Sequence, residues 1–405
     1  MISKQKAIIG AIVIVLVTSL LTFSVGNYFA LEFGERVLIS KERHENINNI
    51  METYRKFLET KEFLMGNYLH ELDEGMLIDG AIRGMFESIG DPYTVFMDER
   101  QFEDMKMRTQ GSYGGIGIIV TPGEDGFVTV VSPIEDTPGE RAGIISGDRI
   151  IAVDGTEIFS DKLDFAVTLM RGEPGTPVIL SISRDGEQDL LEIEIERAEI
   201  RLKTVRSEVI EGNIGYIRIS LFDAQTAESF KKHLEELEKQ GIKGLVIDLR
   251  NNPGGLLSQC IEIADQLLGE QIIVYTEDRD GTREIEKSDK NKVDIPLVVL
   301  VNNGSASASE ILAGAIQDTN SGTIVGTTTF GKGVVQQIKS LHDGTGIKYT
   351  ISQYFTPNGR YIHGKGIVPD VYVELPEQID GEVIDENVDL KLDKAIEILK
   401  EKVSE

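Results

Sequence analysis

Between Val301 and Ile311 the chain runs Val-Asn-Asn-Gly-Ser-Ala-Ser-Ala-Ser-Glu-Ile, a small-residue turn joining an apolar run to an amphipathic stretch over 308–317. Ser307 stands where the second stretch begins and Glu310 comes three residues later. That Ser-x-x-Glu spacing is a capping box, which closes a helix N-terminus. The same placement has a chemical use. A serine at a helix N-terminus lies beside N–H groups without intrahelical partners, where a developing oxyanion is stabilised. Such a serine needs a base, and the five histidines form no pattern that offers one. Lysine serves when neutral, which requires burial among apolar groups. Moving a lysine from ~10.4 to about 7–8 costs on the order of 4 kcal/mol, so only a packed site sustains it. Lys332 stands between Gly331 and Gly333, with Phe330, Val334 and Val335 outside them. The same residues also fit an ordinary surface lysine.

Other chemistries find less material. His44-Glu45 and His70-Glu71 begin a zinc-protease pattern, but Asn48 and Glu74 stand where the second histidine belongs. No Gly-x-Ser-x-Gly elbow occurs, and Ser-x-x-Lys appears only at Ser3/Lys6 and Ser229/Lys232, ahead of an apolar segment and on an amphipathic helix. Gly326 to Lys332 matches a phosphate loop up to the lysine, but Gly333 replaces the magnesium-binding Ser or Thr and no helix start comes after it. With one cysteine, Cys260, neither a disulfide framework nor a Cys-rich metal site is available. The expectation is therefore no metal and no cofactor. The 405 residues carry 41 Lys+Arg against 68 Asp+Glu, a net charge of −27, which repels a phosphate backbone and argues against nucleic acid as a partner.

The elements that must position these residues read as a multidomain α+β chain. From Ala7 to Ala30 there are 24 residues without a charge, after Lys4 and Lys6. At ~1.5 Å per residue such a helix crosses a ~30 Å hydrocarbon core, and the basic flank orients it so that the remainder of the chain is exported. Residues 1–30 thus read as a signal-anchor, with a cleaved signal peptide and secretion as the alternative. Residues 31–98 read as helical, with Ile47, Ile50, Met51, Tyr54 and Phe57 on one stripe. Residues 99–198 alternate short β-rich runs with Asp-Gly turns, and Leu191–Glu196 alternates strictly, as a strand with one wet face does. From 199 to 375 the pattern is strand, helix, strand, with the mostly apolar runs at 244–250 and 296–302 reading as buried strands. Residues 376–405 form a tail with a charged helix near Leu390–Val403. The stripe in 44–60 and the apolar positions Leu390, Leu392, Ile396 and Leu399 suggest pairing in a homodimer.

Six motifs occur in order: Gly90 to Phe96 (GDPYTVF), Gly114 to Ile118 (GGIGI), Asp248 to Gly255 (DLRNNPGG), Asn302 to Glu310 (NNGSASASE), Gly331 to Gly333, and His363 to Asp370 (HGKGIVPD). Over residues 80–375 they resemble the C-terminal processing peptidases, or tail-specific proteases. The resemblance implies an α/β, crotonase-like ββα protease core and a PDZ domain at 99–198. It implies Ser307 as nucleophile, Lys332 as base and Gln336 as the residue that orients it. The oxyanion would be held by the Ala308 N–H and by Gly254 or Gly255. In the PDZ domain, Gly114, Gly115, Ile116, Gly117 and Ile118 would form the carboxylate loop for a peptide added as a strand. Arg171 matches an arginine that in some relatives couples peptide binding to catalysis. The expected protein is a serine endopeptidase on the outer side of a bacterial cell membrane, acting on substrates with a free C-terminus. A binding or adaptor protein with an inactive protease domain is the alternative.

Overall fold

The computed structural model describes residues 3–28, 31–33, 36–38, 41–374 and 389–404. The first part of the tail, 376–388, and the end of the uncharged segment, 29–30, lie outside the described residues. Two compact units divide at Ser88. The first holds the apolar helix Lys4–Tyr28, a two-stranded ribbon, and the helices Lys41–Asn67 and Glu74–Glu87. Its span Lys4–Phe23 is long and apolar enough to cross a membrane. Asp73 caps the last helix by accepting the Met76 N–H at 2.7 Å, and Lys61 pairs with Glu74. Ile47, Ile50, Met51 and Tyr54 are exposed.

The second compact unit begins at Ile89. Val95–Met97 is a strand paired antiparallel with Gly346–Lys348, so residues 89–98 belong with the second unit. The helix Glu99–Gln110 is tied to the core as well as to the β-rich module: the Ala224 N–H donates to Thr109 O at 3.0 Å, and Arg100 pairs with Asp164 of the module at 2.6 Å. A ribbon of Ser112–Gly115 and Ala198–Arg201 leads into and out of the module. There, Leu191–Glu196, Pro177–Ser183, Arg149–Val153, Val128–Pro133 and Ile118–Pro122 lie side by side in that order, all antiparallel. Their inward faces and the helix Leu163–Met170 share one core that includes Val128, Ile150, Leu180 and Ile195.

The remaining core is built on a six-stranded sheet ordered Val205–Ile210, Ile214–Ile219, Gly244–Asp248, Leu297–Val301, Thr323–Gly326 and Val371–Tyr372, parallel except for the first pair. Every residue of Gly244–Asp248 and Leu297–Val301 is buried, as strands covered on both faces require. Helices Thr226–Lys239, Leu257–Leu268 and Ala308–Asp318 cover one face. The other is covered by Leu390–Ser404, whose Ala395 and Leu399 are fully buried against Val246, Val298 and Leu300. The apolar stripe of this helix is therefore used within the chain, which corrects its expected part in a dimer. Arg250 pairs with Asp248 and with Asp389, tying down the helix start. A second sheet of Arg283–Lys287, Ile272–Asp278, Gly346–Phe355 and Val334–Ser340 carries the lysine segment.

Candidate active site

The strand Leu297–Val301 delivers the serine-rich turn to the C-terminal edge of the sheet, where helix Ala308–Asp318 begins. Of the three serines there, two are committed to the fold. Ser305 Oγ donates to Leu249 O at 2.8 Å and Ser309 Oγ to Asn252 O at 3.0 Å, and both residues are fully buried. Ser307 is half-buried and lines a cleft of about 250 Å³ with Ala308, Gly255, Lys332 and Gln336. Its backbone has φ 55° and ψ −114°, a left-handed conformation that a serine holds only under local strain of about 1–3 kcal/mol. Neighbouring residues impose it. Asn252 accepts the Ala306 N–H on its main-chain oxygen at 3.0 Å, and Gly254 lies so near that an added Cβ would stand 2.8 Å from Ser307 Cβ and 3.0 Å from Ala308 N. The Gly254 N–H donates to Asn252 Oδ1 at 2.9 Å, whereas Gly255 lines the cleft.

Glu310 does more than cap its helix. Its fully buried carboxylate accepts the Ser307 N–H at 2.9 Å, the Gly331 N–H at 2.7 Å, the Lys332 N–H at 2.8 Å and the Thr329 hydroxyl at 2.6 Å. One acidic group thus ties the serine turn to the lysine segment. Tyr354, almost fully buried, adds a second tie, because its hydroxyl reaches both Ser307 O and Lys332 O. Burial pushes its phenol well above the usual range. After Gly333 the chain enters the strand Val334–Ser340, so no helix N-terminus succeeds the phosphate-loop-like segment. Lys332 is held down to about 8, first by burial and then by the positive charge of Lys348, against the opposing pull of Asp91 and Glu310. Gln336 lies in the same cleft, and its amide donates to Val334 O at 3.2 Å across a register shift in the strand.

A second groove of about 250 Å³ runs between strand Ile118–Pro122 and helix Leu163–Met170. It is lined by Gly115, Ile116, Gly117, Ile118, Val167 and Arg171, which brings together all but one of the expected peptide-binding residues. Gly114 lies outside it, paired with Glu199 and accepting the Gly172 N–H at 3.1 Å. Arg171 reaches Asp104 at 3.1 Å, on the helix whose Met105, Arg108 and Thr109 line the Ser307 cleft. The profile of peptidase family S41 matches residues 213–373, that of the PDZ domain 114–195, and that of the activating protease CtpB N-terminal domain 18–101. The carboxy-terminal processing protease CtpA of Bacillus subtilis is 40% identical over 326 residues, 80% of this chain and 70% of its own. CtpB of the same organism is 38% identical over 89% of this chain and 74% of its own. A carboxy-terminal-processing protease of Bartonella bacilliformis is 41% identical over 82% and 79%. This chain belongs to the carboxy-terminal processing proteases of peptidase family S41. It is a peptidase that carries a PDZ domain.

Some residues around the processing protease's cleft carry no signal in the sequence. Tyr354 sits within an ordinary strand, and Thr329 ahead of the glycine-lysine segment; neither belongs to a recognisable spacing. Asn252 is visible only as part of its motif. Its amide donates to Ile219 O at 2.9 Å while its two oxygens hold Gly254, Ala306 and Ser309, so it organises both turns. Glu310 reads as a cap from its spacing, and its reach to Gly331 and Lys332 has no local signature.

Proposed function

We propose that this protease is an exported Ser/Lys endopeptidase that selects substrates by their C-terminal tails. Neutral Lys332 takes the proton from Ser307 Oγ, and the oxygen attacks the scissile carbonyl carbon. The Ala308 and Gly255 N–H groups hold the oxyanion; Gly254 is set aside because its N–H is spent on Asn252. The ammonium of Lys332 then gives its proton to the leaving amine, and water, deprotonated by the same lysine, releases the acyl group. Gln336 orients Lys332, in this reading, after a change of amide partner. The observation that carries the proposal is the juxtaposition of a strained serine at a helix N-terminus and a half-buried lysine held down to about 8 in one cleft.

The apolar groove of the PDZ domain takes the tail as an added strand, its carboxylate in the Gly115–Ile118 turn. The Arg171–Asp104 pair then links tail capture to the helix beside the cleft, which makes the PDZ domain a gate as well as a tether. The Lys4–Phe23 span anchors the chain in a bacterial cell membrane with the catalytic part outside, and the exposed stripe of helix Lys41–Asn67 supports a homodimer. The core's succession of strand, strand and helix supports the crotonase-like ββα reading. The test is cleavage of an unfolded model protein by the wild-type chain, Ser307→Ala and Lys332→Ala, with and without a peptide ending in a free apolar residue. Loss of cutting in both folded variants supports the dyad. Cutting by either variant overturns it, and activity that appears only with the peptide supports the gate.

A further inference from the structure

One side of the Lys332 amine is covered by a residue that the Ser/Lys chemistry leaves unused. Residues 91–97 form a strap pinned at both ends. Asp91 accepts the Tyr93 N–H at 2.9 Å and the hydroxyls of Thr94 and Thr350, each at 2.6 Å. Thr94 Oγ1 in turn accepts the Thr350 N–H at 3.0 Å, and Val95–Met97 pairs with Gly346–Lys348. Held this way, the Tyr93 ring lies under the Lys332 ammonium position with Nζ 4.8 Å from its centroid. The ring meets His363 edge-on at 6.1 Å, and His363 Nδ1 accepts the Gly333 N–H at 3.3 Å. The strap sets a charge as well, because Val95 stands opposite Lys348 in the register.

We propose that Tyr93 is a positioning residue for this protease: its ring face shuts water from the Lys332 amine, holds that side chain in the Ser307 cleft, and steadies the ammonium once the proton has crossed. This rests on the reading of Lys332 as the base. A ring face acts in two opposed ways on an amine: covering it disfavours the ammonium, and the negative face of the ring favours it. The other groups facing Lys332 are Lys348 from the neighbouring strand, Asp91 from the strap and Glu310 from the helix, with the Tyr354 phenol and the His363 imidazole nearby. The two carboxylates favour the ammonium and Lys348 opposes it, while burial is the largest influence. Cover therefore outweighs attraction, and opening the Tyr93 side returns the amine toward an ordinary lysine. Neither the strand pairing nor the Asp91 bonds require an aromatic ring at 93, which leaves the ring face as the feature to explain.

The experiment is competitive acetylation of Lys332 against pH, read by mass spectrometry, in the full chain in detergent with Ser307→Ala to prevent self-cleavage. The parent should show a midpoint near about 8. Tyr93→Phe, which keeps the face, should hold that midpoint. Tyr93→Ala should raise it by about one unit, and with Ser307 restored should lower kcat/KM at pH 7 about tenfold, mainly through kcat. Should Tyr93→Ala not fold, Tyr93→Asn, which suits the turn, should move the midpoint the same way. An unmoved midpoint in the folded variant overturns the proposal, as does an equal rise in Tyr93→Phe, which would assign the effect to the hydroxyl. A parent midpoint near 10.5, or cleavage by Lys332→Ala, instead removes the base reading beneath it.

Discussion

If Lys332 is kept near neutrality by the fold, the fold bears a cost for it, and removing the amine should stabilise the protein while abolishing catalysis. The perturbation is Lys332→Met, which keeps length and removes charge. The fall from 10.5 to about 8 corresponds to roughly 3 kcal/mol at 1.36 kcal/mol per unit. Lys332 is only partly enclosed, so solvent screening leaves on the order of 2 kcal/mol. The direction comes from proton counting. Between about 8 and 10.5 the unfolded chain holds the proton that the folded chain has lost, so stability rises with pH across that window. Below about 8 both states are charged and the folded state carries the full penalty. The Ser307→Ala/Lys332→Met chain should therefore be more stable than Ser307→Ala at pH 7. With about 2–4 °C per kcal/mol, its unfolding midpoint should lie roughly 4–8 °C higher in scanning calorimetry. At pH 10.5 most of the charge-derived gap should close. A methionine variant equally or less stable at pH 7, or a gap that does not depend on pH, refutes the reasoning.

Other contacts carry three further outcomes. Catalysis should rise with pH through a midpoint near about 8, and Lys348→Met, by removing a like charge, should shift the midpoint of kcat/KM upward; a downward shift contradicts the electrostatics. Glu310→Gln turns one acceptor oxygen into a donor and leaves up to two buried N–H groups unpaired. At about 1–3 kcal/mol each, it should lose roughly 2–6 kcal/mol in denaturant unfolding and most activity even where the fold survives, whereas unchanged stability would show that the carboxylate ties nothing together. Val167→Glu places a charge in the PDZ groove and should abolish binding of a labelled peptide with an apolar C-terminus, measured by anisotropy, while full binding would move the peptide site elsewhere.

What could be read from sequence was whatever a local pattern encodes. The runs at 244–250 and 296–302 announced strands covered on both faces, because their apolar residues are consecutive and not alternating. Ser307 stood out through its place between a strand and a helix, and Lys332 through its glycines and the family resemblance. The strand Val95–Met97 was too short to announce itself, so its pairing with Gly346–Lys348 had no local sign. The stripe of Leu390–Ser404 reads the same whether it meets its own sheet or another chain. Two fully buried strands needed cover on a second face, and this helix supplies it.

The contacts that make the site are of another kind. The groups gathered around Lys332 come from different parts of the chain: the Tyr93 ring from the strap faces its amine, Glu310 from the helix and Tyr354 from the second sheet hold its main chain, Lys348 of that sheet adds its charge, and His363 holds the Gly333 N–H next to it. No spacing rule joins such residues, because only the folded topology makes them neighbours. The separate motifs are therefore best understood by what they surround. GDPYT brings the Tyr93 ring, SASASE the cleft serine and the acidic tie, and HGKG the loop against which Gly331 and Gly333 close-pack, each leaving too little room for a Cβ. Because burial and neighbouring charges together set the proton affinity of this half-buried amine, small shifts in these groups change it. A PDZ domain coupled through Arg171 and Asp104 to the helix beside the cleft has a short route to such a shift. Gating would then act on the protonation of the base as well as on access to the serine. It would appear as a peptide-dependent change in the kcat pH midpoint, where a gate on access alone leaves that midpoint fixed.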